Sequence, residues 1–199
     1  MSPRPDVSEE RTQQIIEAAL AVFSERGFHE ARMSDVADAA GLSKAALYLY
    51  FESKDDLIRS LLEQIVEREI AMIAHLSAET GSASQRMREF ADLVVADLAQ
   101  MRALIPLFYE FFALGLHHGA IHDELSIFVQ RFLAVLIPII QQGMARGEFR
   151  QADAEEVAIA IGAIIEGTLL LWIYDPDTVD IARHIQAGID LVLAGLQPR

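Results

Sequence analysis

The chain has 199 residues, 52% of them apolar, a formal net charge of −14 and no cysteine. That length suits one ordinary domain, or a small domain joined to a larger one, with enough apolar side chains for a sizeable core. The absence of thiols excludes disulfides, thiol catalysis and cysteine-ligated metal or iron–sulfur centres, while the acidic balance, six Lys/Arg against eleven Asp/Glu over 1–56, excludes a broad basic footprint for nucleic acid.

Pro3 and Pro5 mark a loose N-terminal arm, polar and without the apolar stretch of a secretory signal. Helical periodicity then runs through the chain, with no alternating β-branched run, and predicts an all-α fold of about nine helices. The first, about 8–26, sets Ile15, Ile16, Ala19, Leu20 and Phe23 on one face, and Gly27 fits its C-terminal stop. Two short helices follow, at about 33–40 and 44–51, separated by Gly41, with Ser43 placed to cap the second. Ser53 and Asp56 make a capping box for a helix over 54–78, and 79–84 reads as a loop. Further helices are predicted at about 85–101, 103–117, 121–146, 153–174 and 178–196, punctuated by Gly147 and by Asp175-Pro176-Asp177. Pro106 and Pro138 fall inside helical runs, where each predicts a kink or a boundary.

Segment 27–57 carries the clearest functional signal. Two short helices joined by about three residues around Gly41 have the form of a helix-turn-helix over about 31–50. Val36, Ala37, Ala40, Leu42 and Leu47 supply a shared core, and the small Ala37 and Ala40 permit a close crossing. The second helix then offers a polar outer face to a major groove. The same pattern also fits an ordinary pair of short helices in an all-α protein.

A resemblance favours the first. Phe23-x-x-x-Gly27-Phe28, then Met33-x-Asp35-Val36-Ala37-x-x-Ala40-Gly41-Leu42-Ser43-Lys44, then Leu47-Tyr48-x-Tyr50-Phe51-x-Ser53-Lys54-x-x-Leu57 closely resembles the DNA-binding domain of the TetR family, without gaps, over about 8–68. The resemblance implies a homodimer on a palindromic double-stranded DNA operator. It implies DNA-contacting roles for Ser43 and Lys44 at the start of the recognition helix, and for the hydroxyls of Tyr48 and Tyr50. Ala45 and Ala46 would let the helix approach closely, either methyl meeting a thymine methyl. Lys54 would grip the phosphate backbone. Phe51 and Leu57 read as core. Two departures stand out. Ala31-Arg32 replaces the family's usual pair of hydroxyl residues, so Arg32 would supply a phosphate contact by charge, and capping would be lost or pass to Ser34. Ala45-Ala46 replaces the usual Gly-Thr, removing a hydroxyl donor. Arg4 and Arg11 are further candidates, otherwise solvated surface charges.

Residues 69–199 resemble the family in architecture only, as a ligand-sensing and dimerisation domain. Phe108, Phe111 and Phe112, with Phe128 and Phe132 on the next helix, are expected to wall an apolar pocket for a small-molecule effector, within which Glu110, Arg131 and Trp172 would orient it. The plainer reading is a packed core. His118 and His122, four apart beside His117, invite a metal reading, but Gly119 intervenes and polar loop residues are the simpler reading. No metal and no cofactor is expected. On the last two long helices, Ala158, Gly162 and Glu166 recur every four residues, with Ile165 and Leu169 adding apolar area. Ala187, Leu191 and Gly195 do the same on the final helix. Both sets are assigned to a dimer interface, the other reading being an intramolecular core. The apolar run 157–174 approaches bilayer-spanning length, but Glu166 near its middle favours a helix buried in protein.

These readings converge on a cytoplasmic, ligand-responsive regulator, most simply a repressor released by an apolar effector. A helical enzyme would need a site that the sequence does not display, since G-x-S-x-G, H-E-x-x-H and a phosphate-binding glycine loop are all missing. A helical interaction module that has lost DNA binding is the other alternative, supported by the acidic N-terminal region.

Overall fold

The computed structural model describes residues 7–77 and 81–198. Pro3, Arg4 and Pro5 of the expected arm, and Ala78, Glu79 and Thr80, lie outside the described residues. Among the described residues there are nine α-helices and no strand: α1 (Val7–Arg26), α2 (Met33–Ala39), α3 (Lys44–Leu47), α4 (Lys54–Ala74), α5 (Ala83–Gln100), α6 (Ile105–Gly115), α7 (Gly119–Ala145), α8 (Ala154–Tyr174) and α9 (Ile181–Gly195). Two 3₁₀ turns, His75–Ser77 and Arg102–Leu104, precede α5 and α6.

The expected caps are present where the chemistry is local. Ser43 Oγ accepts from Ala46 N (3.1 Å) at the start of α3, and Ser53 Oγ accepts from Asp56 N (3.0 Å) at α4. Asp56 reciprocates one residue further out, accepting from Glu52 N (3.2 Å). Asp153 and Asp180 cap α8 and α9 in the same way, accepting from Glu156 N and Arg183 N. α2 is capped by neither Arg32 nor Ser34: Asp35 accepts from Arg32 N at 2.9 Å, so the carboxylate reaching back does the work. Gly41, at φ +65°, ends α2 in a Schellman arrangement, with Leu42 N donating to Ala37 O (2.8 Å) and Gly41 N to Asp38 O (3.1 Å). The predicted helix over 44–51 is shorter: Leu49 N and Tyr50 N donate to Ala46 O and Leu47 O, three residues back, before Phe51 N returns to Leu47 O. Pro106 sits in the first turn of α6, where its missing N–H costs nothing, whereas α7 continues through Pro138.

The chain forms two compact units. The first comprises the described residues of Met1–Val66 together with Pro106–Ser126. Its core joins Ile15, Ala19 and Phe23 of α1 to Val36, Leu47, Leu57 and Leu61, and to Phe111 of α6. Phe23, Phe28 and Phe111 meet edge to face, with centroids 5.8, 6.3 and 6.5 Å apart. The second unit comprises Glu67–Ile105 and the described part of Ile127–Arg199. There α9 packs on both α5 and α8. Gly143 lets α7 meet the Phe149 ring, since a Cβ at Gly143 would lie 2.3 Å from that ring. Arg86 is buried, donating to Leu76 O (3.2 Å) and Gln142 Oε1 (3.0 Å).

Candidate nucleic-acid interface and effector cavity

In the first unit, Ser43, Lys44, Ala45 and Tyr48 are exposed, Ala46 and Tyr50 are half-buried, and the buried Leu47 pins α3 to the core. The outer side of the second motif helix is therefore open to solvent. Lys44 Nζ lies 5.9 Å from the Tyr48 ring centroid, so cation and phenol share that side. Ser43 Oγ accepts the capping bond and keeps its O–H free to donate. Arg32 is exposed at the start of α2.

Lys54 differs from the expectation. Its ammonium turns inward, donating to Ala31 O (2.7 Å) and His29 O (3.5 Å) and lying 4.0 Å from the Phe28 ring centroid. Burial holds it below the usual lysine range, against the opposing pull of Asp55 and Glu30. It is a tie across the α1–α2 corner rather than an outward cation. Leu49, 84% exposed between the two tyrosines, was not anticipated. The signal was there: an aliphatic residue on the solvent side of an otherwise polar stretch.

The pocket lies elsewhere than the aromatic run of α6 suggested. A cavity of about 330 Å³ is lined from α4, α5, α7 and α8 of the second unit. Phe128 and Phe132 line it, as expected. Phe108, Glu110, Phe111 and Phe112 do not, because α6 belongs to the first unit. Phe111 is fully buried, Phe108 packs on the same core, and Phe112 meets Tyr109 at 5.5 Å. Glu110 accepts from Phe28 N at 2.8 Å, beside Gly27 with its φ of +74°. Arg131 is exposed and paired with Glu67. Trp172 lines a separate hollow of about 240 Å³, its ring 4.8 Å below the Arg102 guanidinium. Sequence reasoning missed Phe90 on α5 and Glu69 on α4, both of which line the main cavity.

The α8 positions assigned to a dimer interface face inward. Ala158, Ile165 and Leu169 are buried in their own unit, and Gly162, Ile165, Glu166 and Leu169 line the cavity. The other side of α8 exposes Leu170, Leu171 and Tyr174. On α9, Ala187, Leu191 and Gly195 are exposed. The helix Ala154–Tyr174 is long and apolar enough to cross a bilayer by length and composition, yet it caps with Asp153 and packs its inner side on α9. His118 lies 3.2 Å from Asp55, and no group of three metal-ligating side chains occurs among the described residues.

Comparison with known proteins agrees with this architecture. Residues 15–61 match the bacterial regulatory proteins of the tetR family, and residues 83–196 match the C-terminal region of BetI-type transcriptional repressors. The HTH-type transcriptional regulator TtgR of Pseudomonas putida is 28% identical, the match covering 92% of this chain and 90% of TtgR. A TetR transcription regulator from Haloarcula marismortui superposes with a TM-score of 0.87 at 22% identity, covering 96% of this chain and all of that one. A transcriptional regulator from Saccharomonospora viridis, solved in complex with choline, superposes with a TM-score of 0.85 at 21% identity over the same shares. The chain belongs to the TetR family of bacterial transcription regulators, with a C-terminal region of the BetI-type repressor kind.

Proposed function

We propose that the protein is a cytoplasmic, ligand-responsive repressor that binds a palindromic operator as a homodimer and is released by a small, mostly apolar effector held in the cavity of the second unit. It acts by binding alone, without turnover. The observation that carries the reading is the coexistence in one chain of a solvent-open helix-turn-helix face and an apolar cavity of about 330 Å³. Ser43, Lys44, Ala45, Tyr48 and Arg32 make the duplex-facing set, with Ala46 and Tyr50 behind them. The exposed side chains Leu170, Leu171, Tyr174 and Leu191 supply the apolar area for a second copy. An effector preferring one conformation of the dimer would shift the population away from the one whose recognition helices match the half-site spacing.

Selection from random duplexes followed by gel retardation tests this. A palindrome is expected, with binding that weakens as salt rises. Lys44→Ala with Tyr48→Phe should weaken binding by about 10–100-fold, the scale of losing one or two phosphate contacts. Leu171→Glu should convert a sedimenting dimer to monomer. No enriched palindrome, or a monomeric parent chain, would overturn the reading.

A further inference from the structure

Leu47 and Phe51 are buried and fix the direction of the chain between them. Leu49 stands two residues from each anchor. Two residues turn a side chain by about 200° round an α-helix and about 240° round a 3₁₀ turn, so Leu49 points away from the core. It is largely exposed, and the fold gains almost nothing from its isobutyl group. A single exposed leucine is ordinary on a protein surface, but the neighbours of this one are not. Lys44, Ala45 and Tyr48 are exposed around it. The bond from Leu49 N to Ala46 O sets it along the side that Ala46 occupies. Leu49 therefore continues the duplex-facing set.

The chemistry of that set restricts what it can read. Segment 43–50 contains no arginine, asparagine, glutamine, aspartate or glutamate, the side chains that best read base edges by hydrogen bonding. Ser43 Oγ is held at the cap by the Ala46 amide, and Lys44 is the segment's one long donor. The rest of the outer side is apolar apart from the tyrosine hydroxyls: the methyls of Ala45 and Ala46 and the larger side chain of Leu49. In the major groove, the apolar group that tells one base pair from another is the C5-methyl of thymine.

Resting on the reading of this helix-turn-helix as the operator-binding element, we propose that Leu49 is a specificity-determining residue. It packs on the C5-methyl of one thymine in each operator half-site and so selects T·A over C·G there.

The probe is the duplex that the parent chain enriches from a random pool, remade with deoxyuridine for thymine at one symmetric pair of positions at a time. That exchange removes only the methyls. Fluorescence anisotropy should find one pair at which the parent loses about fifteenfold in affinity, the scale of two buried methyls. Leu49→Ala should keep the parent's urea midpoint, bind the thymine duplex at least that much more weakly, and no longer distinguish deoxyuridine from thymine at that pair. Its affinity should fall with salt at the parent's slope, because no phosphate contact is lost. Selection repeated with Leu49→Ala should lose the preference for thymine at the same pair. Deoxyuridine without effect at every position, or a penalty that persists in Leu49→Ala, refutes the assignment and leaves operator binding standing. A Leu49→Ala chain that binds both duplexes like the parent but sediments as a smaller species marks a contact between copies and also refutes it. Enrichment of no duplex at all overturns both readings.

Discussion

Glu110 joins two stretches of chain 82 residues apart, and its removal gives a sharp energetic test. Its carboxylate accepts the Phe28 amide at 2.8 Å, where Phe28 is 6% exposed and follows the left-handed Gly27. In Glu110→Ala that amide, close to the Phe23–Phe28–Phe111 cluster, loses its partner. A hydrogen bond to a charged acceptor contributes about 1.5–3 kcal/mol, and a stranded buried donor costs about 1–3 kcal/mol, two descriptions of one loss. Because Glu110 itself is half-buried, water can reach part of the site, which places the expected cost near 2 kcal/mol. Against a typical total of about 5–15 kcal/mol that is readily measured. Glu110→Gln keeps an acceptor oxygen and should cost about half as much.

The assay is urea denaturation followed by circular dichroism, paired with hydrogen exchange at the Phe28 amide. A lower midpoint with unchanged slope is expected, together with faster exchange at Phe28 than at neighbouring helical amides. An Ala variant within about 0.5 kcal/mol of the parent, the range of ordinary surface substitutions, with Phe28 still protected, would refute the reasoning.

Gly143→Ala should destabilise by about 1–2 kcal/mol despite alanine's better helix propensity, because its methyl would stand 2.3 Å from Phe149 and 2.8 Å from the Ala83 Cβ; a raised urea midpoint would contradict this. Burial beside Asp97, against the pull of Arg68, lifts the Glu69 carboxyl to about 7. The same carboxyl holds its proton in the fold to about 7 but sheds it near 4.5 when unfolded, so its contribution favours folding below 4.5 and is lost as pH rises to about 7; the thermal midpoint of Glu69→Gln, compared with the parent, should show that decline removed.

The features legible in sequence were those written into a few neighbouring residues. Gly27, Gly41 and Ser43 announce a stop, a left-handed turn and a cap, and each is satisfied within five residues along the chain. Lys54 could not be read this way, since its direction is set by a carbonyl 23 residues earlier and by the Phe28 ring. The α6 aromatics have helical spacing, but spacing says nothing about which unit receives the helix, and Pro106–Ser126 joins the first. α8 is apolar on nearly every side, so periodicity does not choose its inner face: Ala158, Ile165 and Leu169 turn inward while Leu171 and Tyr174 turn out. Glu69, within the charged run Glu67-Arg68-Glu69, has the look of a solvated residue. Its partial removal from water depends on distant partners, among them Asp97 of α5.

The inward turn of Lys54 has a bearing on how such a regulator finds its site. An ammonium held by carbonyls and a ring keeps its charge but loses its reach, and the surrounding stretch 1–56 carries a net −5, so exchanging counterions on a duplex falls to outward cations such as Arg32 and Lys44. The sequence-independent part of duplex affinity scales with that exchange, so its dependence on salt is expected to be shallow.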